Sequence, residues 1–212
     1  RGTIATGQFR VEEFRLPVLE GRIAPSDSKP LVRARAVPTD VQISYVAGGP
    51  AMNLPVQVSA LVRAKYLSFA DYDTFSFNPP QKEKKSGVAG AGDEEEVTSG
   101  QDQRVIADKL PLRLDKNGAG KLVLDKVPTS KQAQELLMEA TYADPNGEVQ
   151  TIRNVAALWP AGVIAGIKTE GWVSTSQQIK FQALALDLAG KAAEGVSLEV
   201  KAVARITTSS RK

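Results

Sequence analysis

The sequence contains neither cysteine nor histidine among its 212 residues. Without cysteine there are no disulfide bonds or thiol nucleophiles, and without histidine there is no Ser-His-Asp triad and no zinc site of the usual ligand types. Catalysis by carboxylates alone would need an acidic pair in a groove lined with aromatic residues, and the sequence predicts no such groove. We therefore predict a protein that is not an enzyme and that holds no cofactor or metal.

Aromatic residues and net charge are also scarce. Aromatic residues make up 6% of the chain, and 27 basic residues stand against 24 acidic ones, for a net charge of +3. Because the basic residues do not cluster with aromatic ones, we predict no nucleic-acid partner. No apolar run approaches the roughly 20 residues of a membrane span, so attachment to a membrane would need an anchor outside this sequence. The chain opens at Arg1 without a methionine or a signal peptide, and we expect a piece or a processed product of a longer protein.

Apolar and polar residues alternate through most of the chain, with the period of two that is typical of β-strands. This pattern predicts strands with one buried face and one exposed face, which pack as a two-sheet sandwich. Turn residues separate the alternating runs, and their glycines supply the positive φ angles of tight turns. The predicted turns are Gly48–Pro50, Asp115–Gly118, Asp144–Gly147 and Asp187–Gly190. The predicted strands include residues 32–36, 41–45, 56–62, 110–114, 179–185 and 196–202.

Two landmarks recur in the same order about 140 residues apart. Residues 9–17 return in degraded form as 152–160, and residues 41–58 return as 183–200. Such self-similarity indicates one domain type used in series. We therefore predict three pieces: residues 1–16 as the last strand of a preceding domain, 17–159 as a complete domain, and 160–212 as the first half of a following one. Pro17 and Pro160 mark equivalent joints.

Residues 78–104 interrupt the alternation with a double proline, a basic cluster, small residues and an acidic cluster. This composition buries too little apolar surface to offset its ordering entropy, so it predicts a mobile insertion between two strands. Lys82, Lys84, Lys85 and Arg104 are candidate sites for trypsin-like cleavage. The segment is either a protease bait or docking loop, or an insertion tolerated on the surface. We favour the tolerated insertion because surface loops accept extra residues at low thermodynamic cost.

Two further motifs invite stronger interpretations than their surroundings support. Asp71 and Asp73 share a face of a predicted strand, but they supply two of the six to eight oxygens that calcium requires. The glycines of Asp115–Gly120 resemble a phosphate loop, yet a strand follows them instead of a helix. We predict solvated carboxylates in the first case and a hairpin turn in the second.

Four stretches resemble the bacterial α-macroglobulins. They are the strand and joint Gly7–Pro17, the paired strands and Gly-Gly-Pro turn of Val41–Val58, the aromatic and acidic strand segment Tyr66–Phe77, and Gly171–Val173 with Lys180–Gly190. The resemblance covers most of the chain outside residues 78–104. It implies tandem fibronectin-like antiparallel β-sandwiches, called macroglobulin domains, in a large periplasmic protease inhibitor. Without cysteine, the chain contains no Cys-Gly-Glu-Gln thioester of the kind that many such proteins carry.

The resemblance also implies partners and a role. In such proteins a protease cuts an exposed bait, the array of domains rearranges, and the protease is caged. Target proteases are therefore the implied partners of the full-length protein, and a penicillin-binding protein, a cell-wall synthase, is a further partner implied by the resemblance. The candidate site residues of a structural segment are those at the domain joints: Phe9, Phe14, Pro17, Trp159 and Pro160.

A second interpretation is an adhesion or matrix-binding array of β-sandwiches that contacts its partner through residues 78–104. Deletion of that segment distinguishes the two. An adhesin would lose its ligand, whereas a domain in the wall of a protease cage would keep both its fold and inhibition.

Overall fold

The computed structural model describes residues 17–79, 103–169 and 180–202. Regular structure in these ranges consists of ten β-strands and one short 3-10 turn at Ala70–Tyr72. The strands are β1 (Leu19–Pro25), β2 (Leu31–Val32), β3 (Val37–Tyr45), β4 (Pro55–Ala64), β5 (Arg104–Arg113), β6 (Ala119–Leu124), β7 (Gln134–Ala143), β8 (Val149–Trp159), β9 (Val163–Thr169) and β10 (Phe181–Asp187). In this part of the chain, no helix is long and apolar enough to cross a membrane.

The first eight strands form a sandwich of two sheets. One sheet has the order β1-β3-β6 and the other β2-β8-β7-β4-β5, with every neighbouring pair antiparallel except β2 and β8. Every second side chain of β7 points into the core between the sheets, from Leu136 to Tyr142. Complete burial of one such side chain contributes about 1.5–3 kcal/mol. The predicted all-β sandwich is confirmed, and its core follows the period-two pattern.

Three turns share the sequence pattern Asp-x-x-Gly and one set of hydrogen bonds. In each, Oδ1 of the aspartate accepts from the backbone N–H groups two and four residues later, at 2.7–2.9 Å. The glycines have φ angles of 69°, 82° and 83°, a left-handed conformation that favours glycine. In the first turn, the N–H groups of Ala119 and Asn117 lower the pKa of Asp115 below its ordinary value. The turns predicted at Asp115–Gly118, Asp144–Gly147 and Asp187–Gly190 are therefore confirmed.

The second landmark of the repeat returns as the same backbone geometry. Strand β1 pairs antiparallel with β3, and β9 pairs antiparallel with β10 in a separate two-stranded sheet. Adding 142 to both residue numbers converts the contacts of the first turn into those of the second: Tyr45–Gly49 into Asp187–Lys191, Gly48–Tyr45 into Gly190–Asp187, Ala51–Ile43 into Ala193–Ala185, and Ser44–Pro50 into Leu186–Ala192. The repeat is thus confirmed as geometry for residues 43–51 and 185–193. The division into three domains stays a prediction.

The strand predicted over residues 32–36 is wrong beyond Val32. Strand β2 ends there, and Arg33 has a φ of 52°, in the left-handed region. A left-handed residue other than glycine turns the chain at a local energetic cost, and it cannot continue an extended strand. The chain leaves the five-stranded sheet at Arg33 and enters β3 of the other sheet at Val37.

The strand predicted over residues 196–202 does not form. At the offset of 142 this stretch corresponds to residues 54–60, where β4 begins. Strand β4 pairs with β5 on one side and with β7 on the other. Among the described residues, no strand pairs with residues 196–202. An alternating pattern alone does not make a strand, because the backbone groups of a strand need a partner ladder.

Strand β5 is an edge of the five-stranded sheet with several features that discourage further pairing. The register of β4 and β5 shifts between Val58 and Ala60, and Lys109 has a φ of 47° while its N–H donates to the Ser59 hydroxyl. Such bulges and exposed lysines discourage the addition of further strands at an edge. Arg104 is the first residue of β5 and pairs with Val62. Its assignment to the insertion is therefore wrong.

The outer face of the five-stranded sheet carries a partly buried ion cluster that makes stability pH-dependent. Arg63 and Lys65 donate to the two carboxylate oxygens of Glu135, at 2.8 and 3.0 Å. The hydrogen bonds from Arg63 and then from Lys65 lower the pKa of Glu135. A lowered folded-state pKa contributes stability that is present above the unfolded pKa of about 4.3 and is lost as the pH falls through the folded value.

We expect Glu135→Gln to lower the free energy of unfolding by about 1 kcal/mol at pH 7 and by less at pH 3. At pH 3, below the unfolded-state pKa of about 4.3, the unfolded chain is already protonated, so part of the stability that the ionised carboxylate contributes at pH 7 is lost. Urea unfolding of wild type and variant at the two pH values measures the difference. Glu20→Gln, at an exposed position of β1, is the charge-matched control. An equal loss at both pH values would contradict the role of the ion cluster.

Candidate functional site at the domain joint

Strand β2 and the following Arg33 form hydrogen bonds with the C-terminal end of β8. Leu31 and Val32 pair in parallel with Leu158 and Trp159. The backbone N–H of Arg33 donates to the Trp159 carbonyl at 2.8 Å, and its Nε donates to the Pro160 carbonyl at 3.1 Å. The sheet therefore continues to the last residue before Pro160, and one arginine fixes the direction in which the chain leaves the sandwich.

Beyond this exit, the hairpin of β9 and β10 packs against residues 66–78, which we call the aromatic segment. Phe77 of this segment, Ile164 of β9 and Leu186 of β10 form a second buried core. The rings of Phe69 and Phe77 meet edge to face with centroids 4.8 Å apart, a favourable aromatic geometry. Half-buried neighbours complete this second core: Leu67, Phe69, Tyr72, Phe75, Trp159, Leu184 and Leu188.

The prediction of a strand over Tyr66–Phe77 is wrong, because most of the aromatic segment is irregular and it contains the 3-10 turn. Only Ser76 makes a strand-like contact, exchanging two backbone hydrogen bonds with Ile167 of β9, at 2.8 and 2.9 Å. The Asn78 amide closes the segment by accepting from the Leu67 N–H and donating to the Leu67 carbonyl. Four of its five aromatic side chains pack in a single cluster instead of alternating between two faces, which favours this irregular path; they are Phe69, Tyr72, Phe75 and Phe77.

Gly166 of β9 and Gly190 of the turn after β10 provide flat contact surfaces for two phenylalanine rings. A Cβ on Gly166 would collide with Phe77 Cε1 and lie 2.9 Å from its Cδ1. A Cβ on Gly190 would lie 2.8 Å from Cδ1 of Phe69. The rings can pack against the backbone of β9 and of the turn after β10 only because these two positions lack side chains. The contact is completed by Lys168, whose Nζ lies 5.9 Å from the centre of the Phe75 ring.

The structure brings some of the predicted joint residues together and separates others. Trp159 ends β8 and reaches the second core, and Pro160 accepts the Arg33 hydrogen bond. Pro17 lies two residues before β1, whose first residue pairs with Tyr45 at the end of β3. Phe9, Phe14, Lys82, Lys84 and Lys85 lie outside the described residues. The roles assigned to all these residues stay predictions.

Sequence reasoning missed Arg33 and the close contacts of Gly166 and Gly190 with the phenylalanine rings. The alternation predicts Arg33 as the polar member of a strand, and nothing in its neighbours signals a left-handed residue. Gly166 carried a weak signal, because an isolated glycine in a strand often marks close approach of another group. Gly190 carried none of this kind, because the Asp187–Gly190 turn already accounts for a glycine there. The sequence does not show which groups approach these glycines, because Phe77 and Phe69 lie about 90 and 120 residues earlier in the chain.

The joint offers packing and hydrogen bonds instead of acid–base chemistry. Among the described residues, no group of three or more acidic side chains could hold a metal ion. Asp71 lies in the 3-10 turn and Asp73 follows it, so they do not share a strand face as predicted. The arrangement can hold two β units in a defined orientation.

We expect Trp159→Ala to loosen the joint and to cost about 2 kcal/mol, less than a fully buried tryptophan because Trp159 is half-buried. Thermal melts followed by circular dichroism, with the tryptophan emission of the folded states, measure the change. Tyr66→Ala is the matched control, since the Tyr66 side chain is exposed and its loss should cost little. Identical melts for wild type and Trp159→Ala would contradict this role.

Sandwich, hairpin and repeated turn together define an all-β protein, and its fold is similar to parts of the bacterial alpha-2-macroglobulins. The chain is similar to methylamine-reacted Salmonella alpha-2-macroglobulin, with a TM-score of 0.60 and 18% identity over 85% of this chain and 12% of that one. It is similar to native E. coli alpha-2-macroglobulin, with a TM-score of 0.58 and 18% identity over 86% and 11%. It is also similar to trypsin-activated alpha-2-macroglobulin from E. coli, with a TM-score of 0.56 and 16% identity over 83% of this chain and 12% of that one.

These likenesses establish the fold that the sequence resemblance implied. The chain spans about an eighth of the length of the bacterial alpha-2-macroglobulins that it matches. No family model matches the sequence. No curated protein matches it either.

Proposed function

We propose that this chain is a non-catalytic structural segment of a bacterial α-macroglobulin, and that it contributes to a protease-trapping array in the periplasm. The observation that carries the proposal is the repeated turn, in which four backbone contacts recur with both partners shifted by 142 positions. A repeat of this kind is typical of one domain type used in series. The macroglobulin-like fold supplies the class of array.

The joint suggests how such a segment would act. Inter-domain contacts are usually polar and permit motion unless they are apolar and well packed. Here the contact contains the buried Phe77, the edge-to-face phenylalanine pair, the backbone hydrogen bonds between Ser76 and Ile167, and the hydrogen bond from the Arg33 side chain to Pro160. A joint built this way moves its two units as one piece. The segment would therefore hold the spacing of a cage wall and transmit a rearrangement from one domain to the next.

Proteases are the proposed partners of the full-length protein. One of the similar structures is an alpha-2-macroglobulin activated by trypsin, which supports a protease partner for a protein built on this fold. The periplasmic location and the penicillin-binding protein partner rest on the sequence resemblance alone, and attachment to a membrane would come from outside this chain.

The proposal is tested with the full-length protein that carries this segment. After incubation with trypsin, we expect cleavage of a large protein substrate to fall several-fold, while hydrolysis of a small peptide substrate continues. A caged protease excludes large substrates by size and still admits small ones. Equal activity of trypsin on the large substrate with and without the protein would overturn the proposal. Equal loss on both substrates would indicate direct blockage of the protease active site and would also overturn it.

A further inference from the structure

A pocket of about 210 Å³ lies beside the joint, between the stretch that follows β2 and the stretch that precedes β7. Two arginines, Arg33 and Arg35, line one side. Trp159 and Pro160 contribute an apolar part of the wall. No acidic residue is among the described residues that line the pocket, so the charge of both guanidinium groups is not neutralised from within it.

Arg33 is held in a defined position at this pocket. Its backbone has a φ of 52°, a conformation that costs free energy for a residue with a side chain. Its backbone N–H and its Nε are occupied by the carbonyls of Trp159 and Pro160. Anchored through Nε, the guanidinium keeps its two terminal nitrogens for another acceptor. A strained, anchored arginine that lines a pocket is a pre-organised donor.

Arg35 is the second donor. In the part of the chain that the structure describes, its side chain has no hydrogen-bond or ion-pair partner. Two residues after Arg33, it lines the same pocket. Because no carboxylate lines this pocket, an anion bound there would be attracted by both guanidinium groups.

The stretch before β7 adds neutral donors to the lining. Ser130, Gln132 and Gln134 all line the pocket. The Ser130 hydroxyl accepts the backbone N–H of Gln132 at 3.0 Å, so the hydroxyl hydrogen remains able to donate to a bound group. The amides of both glutamines also carry N–H donors. The pocket therefore combines two cationic forks, a hydroxyl, two amides and an aromatic surface.

We propose that this pocket is a binding site for an oxyanion, a phosphate or carboxylate group carried on a small organic molecule. The guanidinium group of arginine matches the oxygen spacing of planar carboxylates and tetrahedral phosphates, and it makes charge-assisted hydrogen bonds to both. Binding pockets of this kind pair an apolar wall with a few convergent polar groups. The site does not depend on the proposed function of the array, since its donors and wall belong to this chain alone.

Tryptophan fluorescence of the Trp172→Phe variant tests the site, because that variant leaves Trp159 as the sole tryptophan. The probes are inorganic phosphate, phenyl phosphate and benzoate, titrated at constant ionic strength. We expect a saturable change in Trp159 emission, with tighter binding of the probes that carry a phenyl ring. The preference between phenyl phosphate and benzoate identifies which oxyanion the site takes.

Arg35→Gln is the decisive variant, since Arg35 has no structural partner among the described residues. We expect it to weaken binding by about tenfold or more, the loss of one charge-assisted contact. Arg113→Gln removes the same charge from an exposed position of β5 outside the pocket and should change the affinity by less than about twofold. Arg33→Gln should weaken binding and also lower the melting temperature, because Arg33 anchors the joint.

Two results would overturn the proposal. One is the absence of a saturable change with all three probes in a protein whose circular dichroism matches the wild type. The other is equal weakening by Arg35→Gln and Arg113→Gln, which would show diffuse attraction of anions to a positively charged chain instead of a site.

Discussion

Gly118→Ala should destabilise the protein by about 3 kcal/mol, the sum of backbone strain and a steric clash. Gly118 has a φ of 69°, where a residue with a side chain loses about 1–2 kcal/mol. A Cβ there would also collide with the Ile43 carbonyl oxygen and lie 2.9 Å from the Ala51 nitrogen. These are backbone atoms of the sandwich, and Ile43 also donates its N–H to the Gly118 carbonyl, so neither side can yield cheaply. Urea unfolding measures the loss.

The chain supplies its own controls for this prediction. Gly147 ends the same Asp-x-x-Gly turn with a φ of 82°, but a Cβ there would meet nothing within 4 Å. Gly147→Ala should therefore cost only the conformational part, about 1 kcal/mol. Gly190→Ala should fall between the two, because its neighbour is the side chain of Phe69, which can shift. Equal losses at Gly118 and Gly147 would show that strain alone decides the cost.

Gly166→Val should undock the aromatic segment from the β9–β10 hairpin, at a cost of about 3 kcal/mol. The valine would occupy the space of the Phe77 ring, which is part of the second buried core. Phe77 would have to leave its contacts with Ile164 and Leu186, and the Ser76–Ile167 hydrogen bonds would follow. We expect hydrogen exchange of the β9 and β10 amides to accelerate at least tenfold while β4 and β7 stay protected.

Gly162→Val is the matched substitution, since a Cβ at Gly162 meets nothing within 4 Å. It should leave hydrogen exchange in the hairpin unchanged. Unchanged exchange in Gly166→Val as well would mean that the hairpin does not rely on the aromatic segment. Acceleration in all sheets alike would mean that the hairpin and the sandwich unfold as one cooperative unit.

The parts of the fold that sequence reasoning reached are those set by neighbours along the chain. Asp115, Asp144 and Asp187 could be placed in turns because each aspartate bonds N–H groups two and four residues later, and the glycine completes the turn locally. The core positions of β7 followed from alternation, since one face of the strand is buried and the other is exposed. The repeat was also visible in the sequence as two similar turns, because each turn is set by residues a few positions apart.

The candidate site was reached only in part. Trp159 and Pro160 were singled out because they fall at a repeated joint, and Trp159 does contact the second core. The roles of Arg33 and of the aromatic segment depend on residues about 130 and 90 positions away. Local patterns contain no information at that separation, so an alternating stretch such as Arg33–Arg35 was assigned to the wrong structure.

By itself, the sequence determined the class of this protein: an all-β chain of alternating strands and Asp-x-x-Gly turns, without the histidine and cysteine of the common catalytic and zinc sites. Each of these properties depends on a residue's own chemistry or on neighbours within a few positions. The tertiary structure decided which alternating stretches became strands, because a strand requires a partner ladder as well as a pattern. It also decided where the aromatic residues packed, because Phe69 and Phe77 needed the flat backbone of Gly190 and Gly166, far along the chain, to complete a buried core.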